Sequence, residues 1–244
     1  MSRPSDWIVP DWPAPSRVRA LVTTRAGGGS TGAYASMNLG QRVGDDPATV
    51  DANRRLLRSL LPAEPNWLHQ VHGAKVVRAE GPGEGREADA AVTTQANCVC
   101  PIMIADCMPV LFADREGRAV GAAHAGWRGL AAGVLENTIG ALGVAPADLI
   151  AWLGPAIGPS AFEVGSDVRD AFIAINPAAA DAFHAQRPGK WLADLFLLAR
   201  QRLARAGVSD VYGGGLCTYS DPKRFFSHRR DKVSGRMAAL IWME

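Results

Sequence analysis

The stretch CVCPIMIADCMPVLFADREGRAVGAAHAG, residues 98–126, decides the fold. It contains three short apolar runs, CVCPIMIADC, PVLFAD and AVGAAHAG, each bounded by turn-forming residues. Short apolar runs of this kind are typical of buried strands. Because these strands cluster instead of alternating with helices, they favour stacked α+β layers over a doubly wound parallel sheet.

Outside this stretch the chain alternates between strand and helix signals. Further strands are predicted in RVRALVTT (17–24), in WLHQVHG and AKVVRAE on either side of Gly73, in DLIAWLGPAI, in DVYGGGLCTY and in MAALIWM (237–243). Asp46 is predicted to cap a helix that has Pro47 in its first position. Three more helices are predicted in GLAAGVLENTIGALG, ending at Gly143, in SDVRDAFIAIN and in DLFLLARQRLARAG.

Composition indicates an ordinary globular chain. Hydrophobic residues make up 48% and charged residues 20% of the 244 positions, which excludes a disordered, collagenous or coiled-coil protein. We find no internal repeat, low-complexity tract or linker, so the sequence predicts one domain over residues 1–244. The expected architecture is an α+β single-domain layered sandwich of mixed β-sheets and helices.

Charge and hydropathy restrict the partners. The formal net charge of +2 gives no basic footprint for nucleic acid. The chain nowhere reaches the roughly 18–20 consecutive apolar residues of a membrane span, and the amino-terminal segment MSRPSDWIVPDWPAP lacks the apolar core of a secretion signal. We therefore expect a cytoplasmic protein, with a monomer favoured. In that compartment the four cysteines are expected to be thiols.

Three potential metal ligands follow predicted strands. They are His72, Cys107 and His124, separated by 35 and 17 residues. These separations are much longer than those of closed structural zinc sites and suit a catalytic site built from different strands. Two imidazoles and one thiolate would fill three corners of a tetrahedron and leave the fourth open for water or substrate.

Spacing alone leaves other interpretations open. A single cysteine after an apolar run is commonly an inert core thiol, and a single histidine is commonly a hydrogen-bonded structural residue. His69 is an alternative to His72, because it falls on the opposite face if that segment is extended. His184 has no clustered partners and is expected to be exposed.

Seven collinear segments of this sequence carry a family resemblance: TTRAGGGSTGAYASMNLG (23–40), GDDP with NRRLL (44–57), WLHQVHG (67–73), ADCMPVLFAD (105–114), AAHAGWRGLAAGV (122–134), GPAIGPSAFEVG (154–165) and CTYSDPKRFFSHRRDKVSGRMAALIW (217–242). Through them the chain, from about residue 18 onwards, resembles the YfiH-type laccase-domain family, known both as polyphenol oxidase and as purine nucleoside phosphorylase.

The resemblance implies a fold, a metal and a substrate class. It implies zinc held by His72, Cys107 and His124, and an α+β sandwich related to that of a bacterial deamidating toxin. It also implies phosphate-dependent cleavage of adenosine, inosine, guanosine and methylthioadenosine, together with deamination of adenosine. An alternative activity in the family is hydrolysis that removes a wrongly incorporated amino acid from a cell-wall nucleotide precursor.

Polar and aromatic residues around these segments are candidates for binding substrate. The backbone of residues 126–129 and Arg128 could meet a phosphate, and Asp106 could orient a ligand histidine. Ordinary turn, packing and surface roles are the alternatives. The loop and helix candidates are Arg25, Ser36, Asn38, Asn53 and Arg54. The carboxyl-terminal candidates for stacking on a purine or neutralising phosphate are Thr218, Asp221, Phe225, Phe226, His228, Arg229 and Arg230.

The sequence therefore predicts a zinc enzyme that acts on purine nucleosides and phosphate. Zinc is favoured over copper, because a multicopper oxidase would need imidazole-rich shells beyond its blue-copper site. Only three histidines remain to supply them: His69, His184 and His228. A non-enzymatic, zinc-stabilised interaction module is a further alternative. Such a module would recruit Cys98, Cys100 or Cys217 as a fourth ligand, although Cys98 and Cys100 share a strand face and are more simply core residues.

Overall fold

The computed structural model describes residues 4–80 and 85–244; the first three residues of the amino-terminal segment considered above lie outside this part. The strands are β1 Val18–Val22, β2 Leu68–His69, β3 Val76–Arg78, β4 Arg86–Glu87, β5 Ala90–Thr93, β6 Cys100–Ile104, β7 Met108–Asp114, β8 Val120–Ala125, β9 Leu149–Leu153, β10 Glu163–Gly165, β11 Phe183–Arg187, β12 Lys190–Ala193, β13 Asp210–Gly213 and β14 Met237–Met243. The α-helices are α1 Pro47–Arg58, α2 Trp127–Ala131, α3 Val134–Leu142, α4 Ser166–Ile173, α5 Leu195–Arg205 and α6 His228–Asp231.

Two sheets form the centre of the molecule. The larger has the strand order β13-β9-β7-β8-β5-β3 and mixes parallel and antiparallel pairs. The second is antiparallel with the order β1-β14-β6. Smaller sheets, β10-β12-β11 and β2-β4, lie outside this pair. The predicted α+β class with mixed sheets is confirmed.

Both central sheets are covered on both faces, which explains why their strands are apolar runs without alternation. In β7, Val110 and Phe112 pack into the core that includes α3 and α5, while Leu111 and Ala113 pack towards β6 and β14. Alternate residues of β14, such as Leu240, contact Leu57 of α1 on the far side. The order of layers is therefore helix, three-stranded sheet, six-stranded sheet, helices.

Helix α1 begins as the sequence predicts. The Asp46 side chain accepts a hydrogen bond from the Thr49 N–H, and Pro47 occupies the first helical position. An acceptor at this position satisfies an N–H that the helix itself leaves unpaired. The helix ends at Arg58, three residues before the predicted end at Leu61.

Three predicted elements differ from the structure. The strand predicted in DVYGGGLCTY ends at Gly213, where a run of glycines with positive φ begins. Residues 129–143 do not form one helix, because Gly133 adopts a left-handed conformation with φ of 91° and separates α2 from α3. The segment WLHQVHG is extended only at Leu68 and His69 before the chain turns. His184 is exposed as expected but lies on β11.

The cysteines are free thiols in the structure, and Cys98 and Cys100 are buried in the core between the two central sheets. Among the described residues, no helix is both long enough and apolar enough to cross a membrane.

Candidate metal centre and its cavity

Three chain segments place a histidine, a cysteine and a second histidine together at one end of the central sheets. Cys107 lies in the short connection between β6 and β7, and His124 lies on β8 opposite Pro109 of β7. His72 lies in the turn that follows β2. The ligand atoms of the three side chains are all within 4.8 Å of one another. The structure thus brings together the three residues that the sequence analysis selected, and it leaves His69 outside the group.

A buried carboxylate, Asp89, holds both histidines in position. Its Oδ1 accepts from the His72 backbone N–H at 2.9 Å and lies 2.8 Å from Nδ1 of His124. Its Oδ2 accepts from the N–H groups of Val71 and Gly73 at 3.2 and 2.7 Å. With Nδ1–H of His124 directed to Asp89, Nε2 is the nitrogen available to the cluster. Asp89 is fully buried, so these hydrogen bonds do not compete with water.

Asp106 has a different role from the one expected. The sequence offers Asp106 as the acceptor that orients a ligand histidine, but Asp89 occupies that position. Asp106 has a positive φ of 89°, and its carboxylate accepts from the Thr218 hydroxyl at 2.6 Å and from the Arg229 N–H at 2.6 Å. Left-handed backbone is costly for a residue with a side chain. These two contacts from distant segments hold the turn that presents Cys107.

Two glycines make room for the cluster. A Cβ at Gly126 would lie 2.7 Å from Sγ of Cys107 and 3.4 Å from Cδ2 of His72. A Cβ at Gly129 would lie 2.7 Å from the carbonyl oxygen of Gly73. The two distances of 2.7 Å are too short for a real Cβ, so only glycine at these positions permits this approach of α2 to the cluster.

The cluster stabilises a thiolate. Burial raises the pKa of Cys107, but the adjacent His124 and His72 outweigh it and lower the pKa to about 6. Burial likewise disfavours a charged His124, yet the Cys107 thiolate and Asp89 raise the pKa of this histidine to about 9. The pKa of Asp89 is lowered despite its burial, because His124 and backbone N–H groups stabilise the carboxylate. A deprotonated thiol is the form that binds metal ions.

These donors fit a metal ion of the zinc type. Tetrahedral zinc with nitrogen and sulfur ligands keeps its donor atoms about 3.5 Å apart. The three ligand atoms of this cluster lie within 4.8 Å of one another, close enough to share one ion. Within residues 4–80 and 85–244, no fourth histidine, cysteine or carboxylate joins the group. Cys98 and Cys100 are core thiols, and Sγ of Cys217 accepts instead from the Gly158 N–H. Three protein ligands and an open position are typical of catalytic zinc sites.

The cluster lies in the wall of a cavity of about 870 Å³. Apart from the ligands, the charged residues that line it are mostly arginines, and Asp106 is the one carboxylate among the described lining residues. The arginines are Arg42, Arg54, Arg128, Arg229 and Arg236. Trp67, Trp127 and Phe162 supply aromatic surface. Such a cavity suits an anionic ligand with a planar apolar group.

Some of the predicted substrate-binding residues line this cavity. Arg54 donates from Nε to the Leu39 carbonyl and stacks over Trp67 at 4.3 Å. Arg128 is exposed and lies over its neighbour Trp127. Arg229 donates to the Glu163 carbonyl, and the exposed His228 lies beside it on α6.

The structure places the remaining candidates away from the cavity lining. Arg25 donates to the carbonyls of Ala35 and Pro222, and Ser36 accepts from the N–H groups of Gly27 and Gly28. Arg230 is engaged with backbone carbonyls and with Asp231. The others outside the lining are Asn38, Asn53, Thr218, Asp221, Phe225 and Phe226.

Burial explains several of these positions. Phe225 and Phe226 are fully buried between the central sheets, so they have no free face for stacking on a purine. Asn38 and Asn53 are also buried, and they brace the glycine-rich loop: Asn53 accepts from the Gly29 N–H and donates to the Asn38 carbonyl. The loop is therefore held by its own polar side chains.

Sequence reasoning missed Asp89, Arg236, Arg42 and Gln70. Asp89 and Arg236 are isolated charges at strand starts. The partners of Asp89, and Asn38, which contacts the Arg236 backbone, are remote in the chain. Gln70 pairs with the backbone N–H and carbonyl of Met103 and so attaches the His72 turn to β6. The one available signal was the position of these polar residues next to apolar strands.

Comparison with known proteins gives the family. A family model described as multi-copper polyphenol oxidoreductase laccase matches residues 19–244. A Pseudomonas aeruginosa protein named purine nucleoside phosphorylase PA4543 is 54% identical over 239 residues, covering 98% of each chain. An Escherichia coli protein named purine nucleoside phosphorylase YfiH is 51% identical over 242 residues, covering 98% of this chain and 99% of the relative.

Solved structures agree with these similarities. The crystal structure of Neisseria meningitidis protein NMB0706 matches with a TM-score of 0.95 and 52% identity, over 98% of this chain and 100% of that one. YlmD from Geobacillus stearothermophilus matches with a TM-score of 0.88 and 33% identity, over 94% and 93% of the two chains. Sequence, fold and the His-Cys-His cluster lead to one conclusion: this chain belongs to the YfiH-type family of laccase-like domain proteins.

Proposed function

We propose that the protein is a zinc-dependent purine nucleoside phosphorylase of the cytoplasm, acting on adenosine, inosine, guanosine and methylthioadenosine, and that it also deaminates adenosine. The observation that carries the proposal is the cluster of His72, Cys107 and His124 in the wall of an arginine-lined cavity. Relatives at 51–54% identity are named purine nucleoside phosphorylases. The cavity offers cations for a phosphate and aromatic surface for a base.

In phosphorolysis, a phosphate oxygen bonds to C1′ of the ribose while the bond from C1′ to the purine nitrogen breaks. The electron pair of that bond goes to the purine, which takes up a proton, and the products are ribose 1-phosphate and the free base. A zinc ion at the cluster would supply Lewis-acid catalysis next to the substrate. The residues of the chain itself must bind the phosphate anion, orient both reactants and exclude water from the site.

Particular residues fit these tasks. Asp89 fixes the ring of His124, so this ligand is oriented before substrate binds. Arg54 and Arg229 are held against aromatic rings and backbone carbonyls, which limits their motion and presents their charge to the cavity. Preorganised cations of this kind stabilise charge that develops on the phosphate.

Deamination needs the same cavity with a different nucleophile. Water replaces the amine at the purine carbon, ammonia leaves and inosine forms, so no phosphate is consumed. The two activities can therefore be separated by the phosphate concentration alone.

The decisive experiment incubates the purified protein with adenosine, with and without phosphate, and identifies the products by mass. Ribose 1-phosphate and adenine, formed only with phosphate, support phosphorolysis; inosine in both reactions supports deamination. The same assay is repeated with inosine, guanosine and methylthioadenosine. If none of the four nucleosides gives a product of phosphorolysis or deamination, the proposal is refuted. Release of an amino acid from a cell-wall nucleotide precursor would then identify the alternative hydrolase activity.

Copper is a second candidate for the metal, because the matching family model is described as a multi-copper oxidoreductase. The arrangement of histidines opposes several coppers: His69 and His228 line the cavity without joining the cluster, and His184 lies on β11. We expect about one zinc per chain by elemental analysis of protein purified without added metal. Stoichiometric copper with a copper-thiolate absorption band would contradict this assignment.

A further inference from the structure

Arg236 differs from the other arginines of the cavity. It directly precedes β14, whose first residue, Met237, pairs with Ile104 of the antiparallel strand β6. Extending this register places Arg236 opposite Ala105, two residues before Cys107. Both Ala105 and Arg236 line the cavity. The guanidinium therefore belongs to the part of the wall that adjoins the metal cluster.

The side chain of Arg236 is anchored by one nitrogen and free at the others. Nη1 donates to the carbonyls of Ser234 and Gly235 at 2.9 and 3.0 Å. Nε and Nη2 make no hydrogen bond to the described residues. Neither atom is fully buried. These two donors are thus accessible from the cavity, as a bidentate pair for an oxyanion.

No carboxylate of the described residues forms an ion pair with Arg236, although the residue is half-buried. Burial lowers the pKa of Arg236, while the negative charges of Cys107 and Asp106 act in the opposite direction. Asp106 is itself occupied by Thr218 and by the Arg229 N–H. A shielded cation without a paired anion is costly, and a bound anion removes that cost.

The backbone around Arg236 is fixed by the glycine-rich segment. Oδ1 of Asn38 accepts from the Arg236 N–H at 2.9 Å, and the Arg236 carbonyl accepts from the Leu39 N–H at 3.0 Å. A Cβ at Gly40 would lie 2.8 Å from Cγ of Arg236. The stem of Arg236 therefore packs directly on the backbone of Gly40.

We propose that Arg236 binds the phosphate nucleophile next to the metal cluster, with Asn38 and Gly40 as its positioning residues. The inference rests on the proposed function, because that function makes inorganic phosphate a substrate. The other cavity arginines are engaged with aromatic rings or are exposed, as Arg54 and Arg128 illustrate. Among the described cavity arginines, Arg236 is the one that is half-buried and stacks on no aromatic ring.

Binding of inorganic phosphate to the metal-loaded protein, measured by calorimetry without nucleoside, tests the proposal. Arg236→Met removes the charge and should weaken phosphate binding roughly tenfold to a hundredfold, the effect of one charge-assisted contact. Arg236→Lys keeps the charge without the bidentate donors and should fall between. The matched control is Arg169→Met, because Arg169 stacks over Trp191 and does not line the cavity.

Gly40→Ala keeps the charge of Arg236 but displaces its stem, so it should weaken phosphate binding several-fold. This variant decides the question if Arg236→Met does not fold, as judged by its melting temperature and metal content. Wild-type phosphate affinity in the folded Arg236→Met, or in Gly40→Ala, would overturn the proposal, as would absence of millimolar phosphate binding to the wild type. If phosphate binds through Arg236 but no nucleoside is cleaved, the proposed function fails and this inference stands.

Discussion

Replacing Asp89 by Asn should weaken the metal site and the fold together. Each carboxylate oxygen of Asp89 accepts two N–H groups: those of His72 and His124 on one side, and those of Val71 and Gly73 on the other. Either orientation of an asparagine places its NH₂ group against two donors. Two N–H groups then lose their acceptor. At about 1–3 kcal/mol for each donor that is shielded from water, the loss is at most about 2–6 kcal/mol.

The effect on the metal has a separate physical cause. Without a carboxylate at Nδ1, the ring of His124 loses its fixed orientation, and loss of such a partner typically weakens metal binding about 10–100-fold. The unfolding free energy should be measured on metal-free protein in urea, and zinc affinity by competition with a chelator. The two measurements separate destabilisation of the fold from loss of the metal.

Asp114→Asn is the matched control. Asp114 is also fully buried, accepts several N–H groups from Arg118, and lies at the end of β7 away from Cys107. This variant should lose stability and keep its zinc affinity. If Asp89→Asn also kept wild-type zinc affinity while losing stability, Asp89 would have a structural role only, and the orientation argument would be refuted.

Three further results are expected. Cys107→Ala should lose metal and activity together by elemental analysis and turnover, whereas Cys217→Ala should retain its metal; the reverse would exclude the proposed ligand set. Gly126→Ala should lower zinc affinity at least tenfold with little change in the circular dichroism spectrum, because its Cβ would collide with Sγ of Cys107 at 2.7 Å. Arg118 lowers the pKa of Asp114, so the stability that Asp114 contributes is present above the ordinary carboxyl pKa and lost as pH falls through the lowered value. The stability difference between wild type and Asp114→Asn should therefore shrink from pH 7 to pH 3, and a constant difference would contradict this.

The sequence predicted those helices and strands whose signals lie within a few residues of the element itself. Asp46 and Pro47 mark the start of α1 because a cap and a fixed φ act on the adjacent turn. The apolar runs around β7 predicted strands because consecutive residues of a strand covered on both faces are buried. The break at Gly133 was missed, since a single glycine within a helical pattern is tolerated in many helices and its left-handed conformation depends on packing.

Residues of the candidate site could be predicted where their type is rare in the chain. They could not be predicted where their role depends on which residues the fold brings together. His72, Cys107 and His124 stand out because histidines and cysteines are few, and the family resemblance selected among them. Asp89 is one of many carboxylates, and its role arises from partners 16–35 residues away. Phe225 illustrates the opposite error: an aromatic beside arginines suggested stacking, but the fold buries it completely.

The place of β14 between β1 and β6 has a consequence for the order of synthesis. Val18 pairs with Met243, and Thr218 reaches back 112 residues to Asp106 beside the metal cluster. A ribosome that has just produced His124 has therefore delivered every metal ligand but none of the carboxyl-terminal contacts that hold the Cys107 turn. Metal capture with the final geometry therefore requires that synthesis has passed β14, and chains arrested before β14 carry the three candidate ligands without the wall that makes them a site.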